Sequence, residues 1–315
     1  VSTEEQGRRL SVEKLLRHGE HSLAAAGIDS PASDSALLLA HAWGVDGRSL
    51  SRARLMGDSV PAEAAASFDV LLTRCAGRVP VQHLTGEAHF RTLTLPVGPG
   101  VFVPRPETEL LVDPVLEHLA ATRPSGGGHV LDLCTGTGAL GLAVAAEAAG
   151  TSAVGVESDP VAADWARRSA EAVAGDLARS GSDFAVVQSD ATDPGAVRSV
   201  VDEHLAGRVD VVVCNPPYVV ADGATTAPEV VDHDPALALW GGGDDGTRVP
   251  RLVIAAAAHV LPTGGLLVLE HADTQGAALR EACIACGFAD ATTRADYTGR
   301  DRFTLAVRQP QTQGK

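Results

Sequence analysis

Apolar positions recur at helical spacing over residues 4–78: Leu10, Leu15 and Leu16, Leu23, then residues 36–40, then Leu71 and Leu72. Steps of three and four residues put such positions on one stripe of a helix, so this segment predicts a small helical bundle. Pro31 and Pro61 stand where helices begin, and Ser30-Pro31-x-x-Asp34 offers a capping residue followed by proline in the first turn. Then the period changes. Phe90-Arg91-Thr92-Leu93-Thr94-Leu95 alternates apolar and polar and stops at Pro96, Gly98, Pro99 and Gly100, which predicts a β-hairpin or an extended connector.

After a helix opened by Pro106 and running to Leu119, strand-like and helix-like segments take turns. Strands are expected over 130–134, 153–157, 184–188, 209–214, 266–270 and 303–307. Helices are expected over 139–149, 160–179, 249–260 and 275–286, with one more before residue 209. Such alternation implies parallel βαβ units and a doubly wound α/β sheet with helices on both faces. The expected division is a helical domain over 1–80, a connector over 81–104 and a sheet domain over 105–315.

Composition changes the picture little, and charge changes it more. Of 315 residues, 45% are hydrophobic and only 3% aromatic, so the core must be built largely from Ala, Val and Leu. The formal charge is −15, and residues 1–80 are nearly neutral, so the sheet domain carries almost all of it. Such a surface repels phosphate backbones and argues against sequence-independent nucleic-acid binding. No apolar run approaches the ~20 residues of a membrane span, and residues 252–258 read as a short buried stretch. Val1-Ser2-Thr3-Glu4-Glu5 has neither a basic start nor an apolar run, so no signal peptide is expected. Five scattered cysteines suit reduced thiols in a cytoplasm. Cys283-x-x-Cys286 lies in a helical pattern without a second pair, and no histidine spacing suits a metal; none is expected.

The chemistry collects at strand ends, where ligands of such sheets gather. The first strand of the sheet domain runs into Asp132-Leu133-Cys134-Thr135-Gly136-Thr137-Gly138-Ala139-Leu140-Gly141. Glycines there allow a sharp turn and a close backbone approach to a ligand at the start of a helix. Glu157 ends the second strand, where an acid would accept hydrogen bonds from both ribose hydroxyls, and Asp190 follows the third, suited to an adenine amino group. Three acids at three strand ends suggest an adenosine-containing ligand. The fourth strand ends in Asn215-Pro216-Pro217-Tyr218. Two prolines remove N–H donors and leave carbonyl acceptors, Asn215 adds a side-chain acceptor, and Tyr218 a flat face. Such a corner suits a planar –NH2 group. Cys134 and Cys214 end neighbouring strands and are expected close together and reduced.

These residues resemble a known family. Asp132-x-Cys134-x-Gly136-x-Gly138 with Asn215-Pro216-Pro217-Tyr218 looks like the S-adenosylmethionine-dependent methyltransferases of planar amino groups. Further segments narrow the resemblance: Gly86-Glu87-Ala88-His89-Phe90, Phe102-Val103-Pro104-Arg105-Pro106-Glu107-Thr108-Glu109, Gly242-Gly243-Asp244-Asp245-Gly246 and Arg300-Asp301-Arg302. Over essentially the whole chain this is similar to the HemK/PrmC-type peptide chain release factor N5-glutamine methyltransferases. The resemblance implies a seven-stranded Rossmann-like methyltransferase sheet with a small N-terminal helical bundle that helps dock the protein substrate. It implies S-adenosyl-L-methionine as cofactor, S-adenosyl-L-homocysteine as product, and the Gly-Gly-Gln glutamine of class-I release factors as substrate.

Carried over by motif, Cys134, Thr135, Gly136, Thr137 and Gly138 would hold the methionine end of the cofactor and Glu157 the ribose. Asp132, Asp190, Ala191 and Asn215 would also line the cofactor. Asn215, Pro216, Pro217 and Tyr218 would hold the glutamine amide, with Asn215, Pro216 and Tyr218 in catalytic roles. Three positions depart from the family pattern: Cys134 stands where glycine is common, Ala191 where some relatives have an aromatic residue, and Asp234 in His233-Asp234-Pro235 where relatives usually carry glutamate. A cytoplasmic monomer without nucleic-acid or membrane partners is expected. Three rivals stand beside this: glutamine methylation of a ribosomal protein, N6-adenine methylation of nucleic acid, and a non-catalytic nucleotide-binding or docking module.

Overall fold

The computed structural model describes residues 10–221 and 233–310; residues 4–9 of the expected bundle lie outside them, as do Val1-Ser2-Thr3-Glu4-Glu5. Contacts between Cα atoms separate a compact unit ending at Glu87 from one beginning at Ala88.

In the first unit, the apolar stripes become helices Val12–Ala25, Pro31–Trp43, Gly47–Met56 and Ala62–Ala76. Leu23, Leu38, Leu39 and Phe68 are fully buried at their centre, each worth about 1.5–3 kcal/mol over exposure. Ser11 caps the first helix by accepting from Lys14 N, and Asp46 caps the third by accepting from Ser49 N at 2.6 Å. Ser30 behaves otherwise. Its hydroxyl makes no capping bond, and Pro31 at the first helical position opens that helix without it. A short helix, Val81–Thr85, occupies a stretch expected to be extended, and Gly86 at φ 78° ends it.

In the second unit, β1 (Glu87–Phe90) and β2 (Leu93–Pro96) form the hairpin. Arg91 turns the chain at φ 51°, so the alternating run is split between two strands. Its side chain is pinned by Glu147 Oε1 at 2.6 Å and Asp113 Oδ1 at 2.8 Å, and its N–H by Glu109 Oε1 at 3.0 Å. The segment after Pro106 starts as a 3-10 helix, Pro106–Leu111, and continues as helix Val112–Thr122.

The main sheet has seven strands: β3 (His129–Leu133), β4 (Ser152–Glu157), β5 (Asp183–Gln188), β6 (Val211–Cys214), β7 (Leu266–Glu270), β8 (Phe288–Ala295) and β9 (Asp301–Arg308), in the order β5-β4-β3-β6-β7-β9-β8. The first five are parallel, while β9 runs antiparallel between β7 and β8. Alternate residues feed opposite faces. Leu131, Leu133, Val212 and Leu267 pack with the helices Pro194–His204, Arg248–Val260 and Gly276–Ala285. Val130, Val211, Val213 and Val268 pack with Val112–Thr122 and Ala139–Glu147.

Three expectations need correction. Strand β8 had no place among the six strands located in the sequence; its alternation, Ala289-Asp290-Ala291-Thr292, is short and built on small residues, as a half-exposed edge strand broken by a register shift allows. The helix expected over 160–179 is interrupted at Val173 (φ −101°, ψ 14°) and becomes Pro160–Ala172 and Ala174–Ser180. Leu252, expected in a buried stretch, is 40% exposed on the solvent side of its helix. Among the described residues no helix is long and apolar enough to cross a membrane.

Candidate active site

The parallel strands are laid down outward from the centre, β3, β4 and β5 toward one edge and β6 and β7 toward the other, so the order of addition reverses between β3 and β6. Loops that leave a parallel sheet on either side of such a switch open a crevice at its carboxyl edge. The register pairs Leu133 with Cys214, so Cys134 and Asn215, the next residues on each strand, stand side by side at that edge.

The loop after β3 is held by carboxylates. Asp132, 1% exposed, turns inward: Oδ2 accepts from Thr135 Oγ1 at 2.5 Å and from Gly141 N at 3.0 Å, while Oδ1 is buried without a partner. Burial pushes its pKa up to about 7, against the two hydrogen bonds that favour the ion. Glu157 Oε2 accepts from Gly136 N at 2.9 Å, and Oε1 from Ser158 N and Asp159 N. Two of the loop's glycines serve different ends. A Cβ at Gly141 would stand 2.5 Å from Phe184 Cε2, so that glycine exists for packing. A Cβ at Gly136 would meet nothing within 4 Å, so that glycine, at φ 56°, borders open space. Cys134 shares the left-handed backbone at φ 58° with no glycine to relieve it. Thr135, Thr137, Gly138 and Ala191 are buried around this loop and the end of β5. Asp190 is exposed; its Oδ1 accepts from Thr192 N and Thr192 Oγ1 in a tight turn.

The corner after β6 is held by distant side chains. Asn215 Nδ2 donates to Thr108 Oγ1 at 3.3 Å, which leaves Oδ1 as the open acceptor. Pro216 is buried; Pro217 and Tyr218 are half-buried. The Tyr218 hydroxyl donates to Glu270 Oε1 at 3.0 Å, and burial beside that carboxyl raises the phenol's pKa. Glu270, at the end of β7, is 2% exposed and its pKa is pushed up to about 7 by burial, despite Thr108, Tyr218 and Arg302 nearby. Gln275 Nε2 donates to Tyr218 O at 2.9 Å and Asp245 O at 2.8 Å, while its Oε1 accepts from Ala272 N at 3.0 Å. Arg302 is fixed by Asp296, 2.9 Å from its Nη2. Arg105 lies over the Phe102 ring and pairs with the buried Asp234 at 2.8 Å. Cys134 and Cys214 lie side by side as free thiols, and burial next to Cys134 raises the Cys214 pKa.

The structure thus gathers Asp132, Cys134, Thr135, Gly136, Thr137, Gly138, Glu157 and Asn215-Pro216-Pro217-Tyr218 at neighbouring strand ends, with Asp190 and Ala191 beyond β5. Sequence reasoning missed Thr108, Glu270, Gln275 and Arg302 as members of the site. Glu270 carried a readable signal: an acid closing an otherwise apolar strand, Leu266-Leu267-Val268-Leu269, like Glu157 three strands away.

Comparison with known proteins puts this geometry among relatives. Residues 14–86 match the family model described as PrmC N-terminal domain, and residues 98–234 the methyltransferase small domain. The release factor glutamine methyltransferase of Bifidobacterium longum is 43% identical over 296 residues, covering 93% of this chain and 98% of its own length. That of Mycolicibacterium smegmatis is 45% identical, covering 91% and 94%. Among solved structures, the hMettl16 catalytic domain in complex with MAT2A 3'UTR hairpin 6 superposes with a TM-score of 0.51 at 15% identity, covering 78% of this chain and 82% of that one. That likeness concerns the fold alone.

Proposed function

The chain belongs to the release factor glutamine methyltransferase family, and from that premise we propose that it transfers a methyl group from S-adenosyl-L-methionine to the side-chain amide nitrogen (N5) of the Gly-Gly-Gln glutamine of class-I peptide chain release factors. One observation carries the reading. Asn215 spends its own N–H on Thr108 and keeps its carbonyl oxygen free, beside the glycine loop on the next strand. An acceptor in that position suits a guest carboxamide that offers two hydrogens.

The residues present fit the cofactor. Gly136 gives an open cradle where a side chain would intrude, and Cys134, Thr135, Thr137 and Gly138 continue it for the methionine end. Asp132 braces the cradle from beneath, through Thr135 and Gly141. Glu157, which already accepts from three backbone N–H groups, keeps one acceptor site on Oε2 for a ribose hydroxyl, and Asp190 with Ala191 would flank the adenine. The bound sulfonium supplies an electrophilic methyl group and leaves as S-adenosyl-L-homocysteine.

An amide nitrogen is a poor nucleophile because its lone pair is delocalised, so the protein works by positioning rather than by a covalent nucleophile. Asn215 Oδ1 and the Pro216 carbonyl accept the two amide hydrogens and favour the positive charge that develops on nitrogen. Pro217 keeps the corner rigid, and the Tyr218 ring packs along the amide plane with its hydroxyl tied to Glu270. A partner from translation termination argues for the cytoplasm, and the enzyme is proposed to act as a monomer. The helical unit is the natural docking element for the protein substrate.

The test is direct. Incubation with S-adenosyl-L-methionine and a purified class-I release factor is expected to add about 14 Da to the Gly-Gly-Gln glutamine, read by mass spectrometry. A mass gain on an adenine-containing duplex, with none on the release factor, would overturn the reading.

A further inference from the structure

Three segments singled out in the sequence are used in the reading above only through Thr108, as the partner of Asn215: Pro104-Arg105-Pro106-Glu107-Thr108, Gly242-Gly243-Asp244-Asp245-Gly246 and Arg300-Asp301-Arg302. All three close around the Asn215 corner. Asp245 and Tyr218 share the Gln275 amide, Arg302 stands by Glu270 and Tyr218, and Thr108 touches Asn215.

A carboxamide is nearly symmetric in shape, so packing alone cannot decide which end of Asn215 faces the crevice; hydrogen bonding must. The neighbour that decides, Thr108, is itself ambiguous, because a hydroxyl can accept from Nδ2 or donate to Oδ1. Its direction is settled only if its proton is claimed elsewhere. Glu270 is the group in reach. Its Oε1 receives the Tyr218 proton at 3.0 Å, its Oε2 is buried with nothing donating within hydrogen-bond distance, and the Thr108 hydroxyl beside it favours its ionised form. A buried acceptor short of a donor draws the nearest free proton.

We infer that Glu270 and Thr108 are positioning residues: the carboxylate claims the Thr108 proton, the Thr108 oxygen is left able only to accept from Asn215 Nδ2, and Asn215 Oδ1 is thereby held toward the incoming amide hydrogens. The inference rests on the methyl-transfer reading for its consequence in turnover, but not for its geometry. Protonation of Glu270 removes the constraint. Its new O–H can donate to Thr108, Thr108 can then donate to Asn215 Oδ1, and the amide turns Nδ2 toward the substrate –NH2, donor against donor. The groups facing Glu270 pull both ways: Arg302, Tyr218 and Thr108 favour its charge and Glu107 opposes it, while its charge adds a little to the burial that keeps the Cys214 thiol protonated. With burial raising Glu270 to about 7, the constraint weakens as pH falls through neutrality.

Two measurements on the full-length protein test this. In the free enzyme, NMR of the Asn215 side-chain –NH2 (identified by its loss in Asn215→Asp) is expected to titrate near neutral pH, and to stop titrating in Glu270→Gln. In the methylation assay, Thr108→Val is expected to lower kcat about tenfold or more with KM for the release factor little changed, Thr108→Ser to restore most of it, and Glu270→Gln to lower kcat and flatten its rise between pH 6 and pH 8. Calorimetric binding of S-adenosyl-L-methionine to each variant shows that it is folded. A pH-invariant Asn215 signal in the wild type, or a Thr108→Val enzyme with wild-type kcat, overturns the inference. A wild type whose Asn215 titrates but which methylates no release factor upholds the positioning and sinks the assigned function instead.

Discussion

The two loops that meet at the β3–β6 boundary are built on opposite plans. The loop after β3 is held by neighbours: Asp132 bonds to Thr135 and Gly141, three and nine residues on, and Glu157 closes it from the next strand. The corner after β6 is held from afar, by Thr108 at a separation of 107 residues, Glu270 at 52 and Gln275 at 57. A loop tied locally can keep its shape through small distortions elsewhere. A corner tied to three distant segments is correct only when the whole sheet is correct. In the proposed reading, binding falls to the self-sufficient loop and atomic alignment to the dependent corner.

The largest effect should come from the corner. Asn215→Ala is expected to lower kcat about 100- to 1,000-fold while S-adenosyl-L-methionine still binds by calorimetry; equal loss of both would mean that the corner and the loop are not separable. Next comes Gly141→Ala, whose new methyl group meets the Phe184 ring and Asp132. It should cost about 1–3 kcal/mol in denaturant unfolding. Gly136→Ala, with open space outside it, should instead weaken cofactor binding more than it lowers stability.

Asp132 offers a pH test. Its folded pKa of about 7 lies above the ordinary carboxylate value, so the native state holds a proton that the unfolded chain has lost. Stability should therefore fall as pH rises from about 4 to 7 and level off above. Asp132→Asn should stabilise the protein more at pH 8 than at pH 5, by on the order of 2 kcal/mol, read as the difference between two thermal melts. The smallest effect concerns Cys134. Replacing it with glycine at φ 58° should raise stability by about 1 kcal/mol, a gain that no residue of the proline-bounded corner can offer.

The same contrast explains what was legible. Helices of the first unit and strands β3 to β7 could be read because buried stripes and apolar runs are local properties of the chain. Asn215-Pro216-Pro217-Tyr218 was readable for the same reason, since its acceptors and its stiffness lie in four consecutive residues. Strand β8 was not, because edge pairing with β9 and not burial makes Phe288–Ala295 extended. Nor was the division of the helix at Val173, where no proline marks the break and Gly175, two residues on, lies inside the second helix. Thr108 and Gln275 escaped because a threonine in a turn and a glutamine before a helix look ordinary until the fold brings their partners near. Asp234, which departs from the family's glutamate, proves to pair with Arg105 at 2.8 Å despite its shorter side chain.

The reversed strand β9 sets a timetable for biosynthesis. Because it runs against β7, pairing Glu270 with Phe303, it carries Arg302 back to the edge where β7 ends, although Arg302 follows Glu270 by 32 residues. A ribosome making this enzyme releases the glycine cradle more than 150 residues before the arginine that steadies its carboxylate. Until β9 has been made and paired with β7, the nascent sheet lacks that arginine at the edge where Glu270 ends.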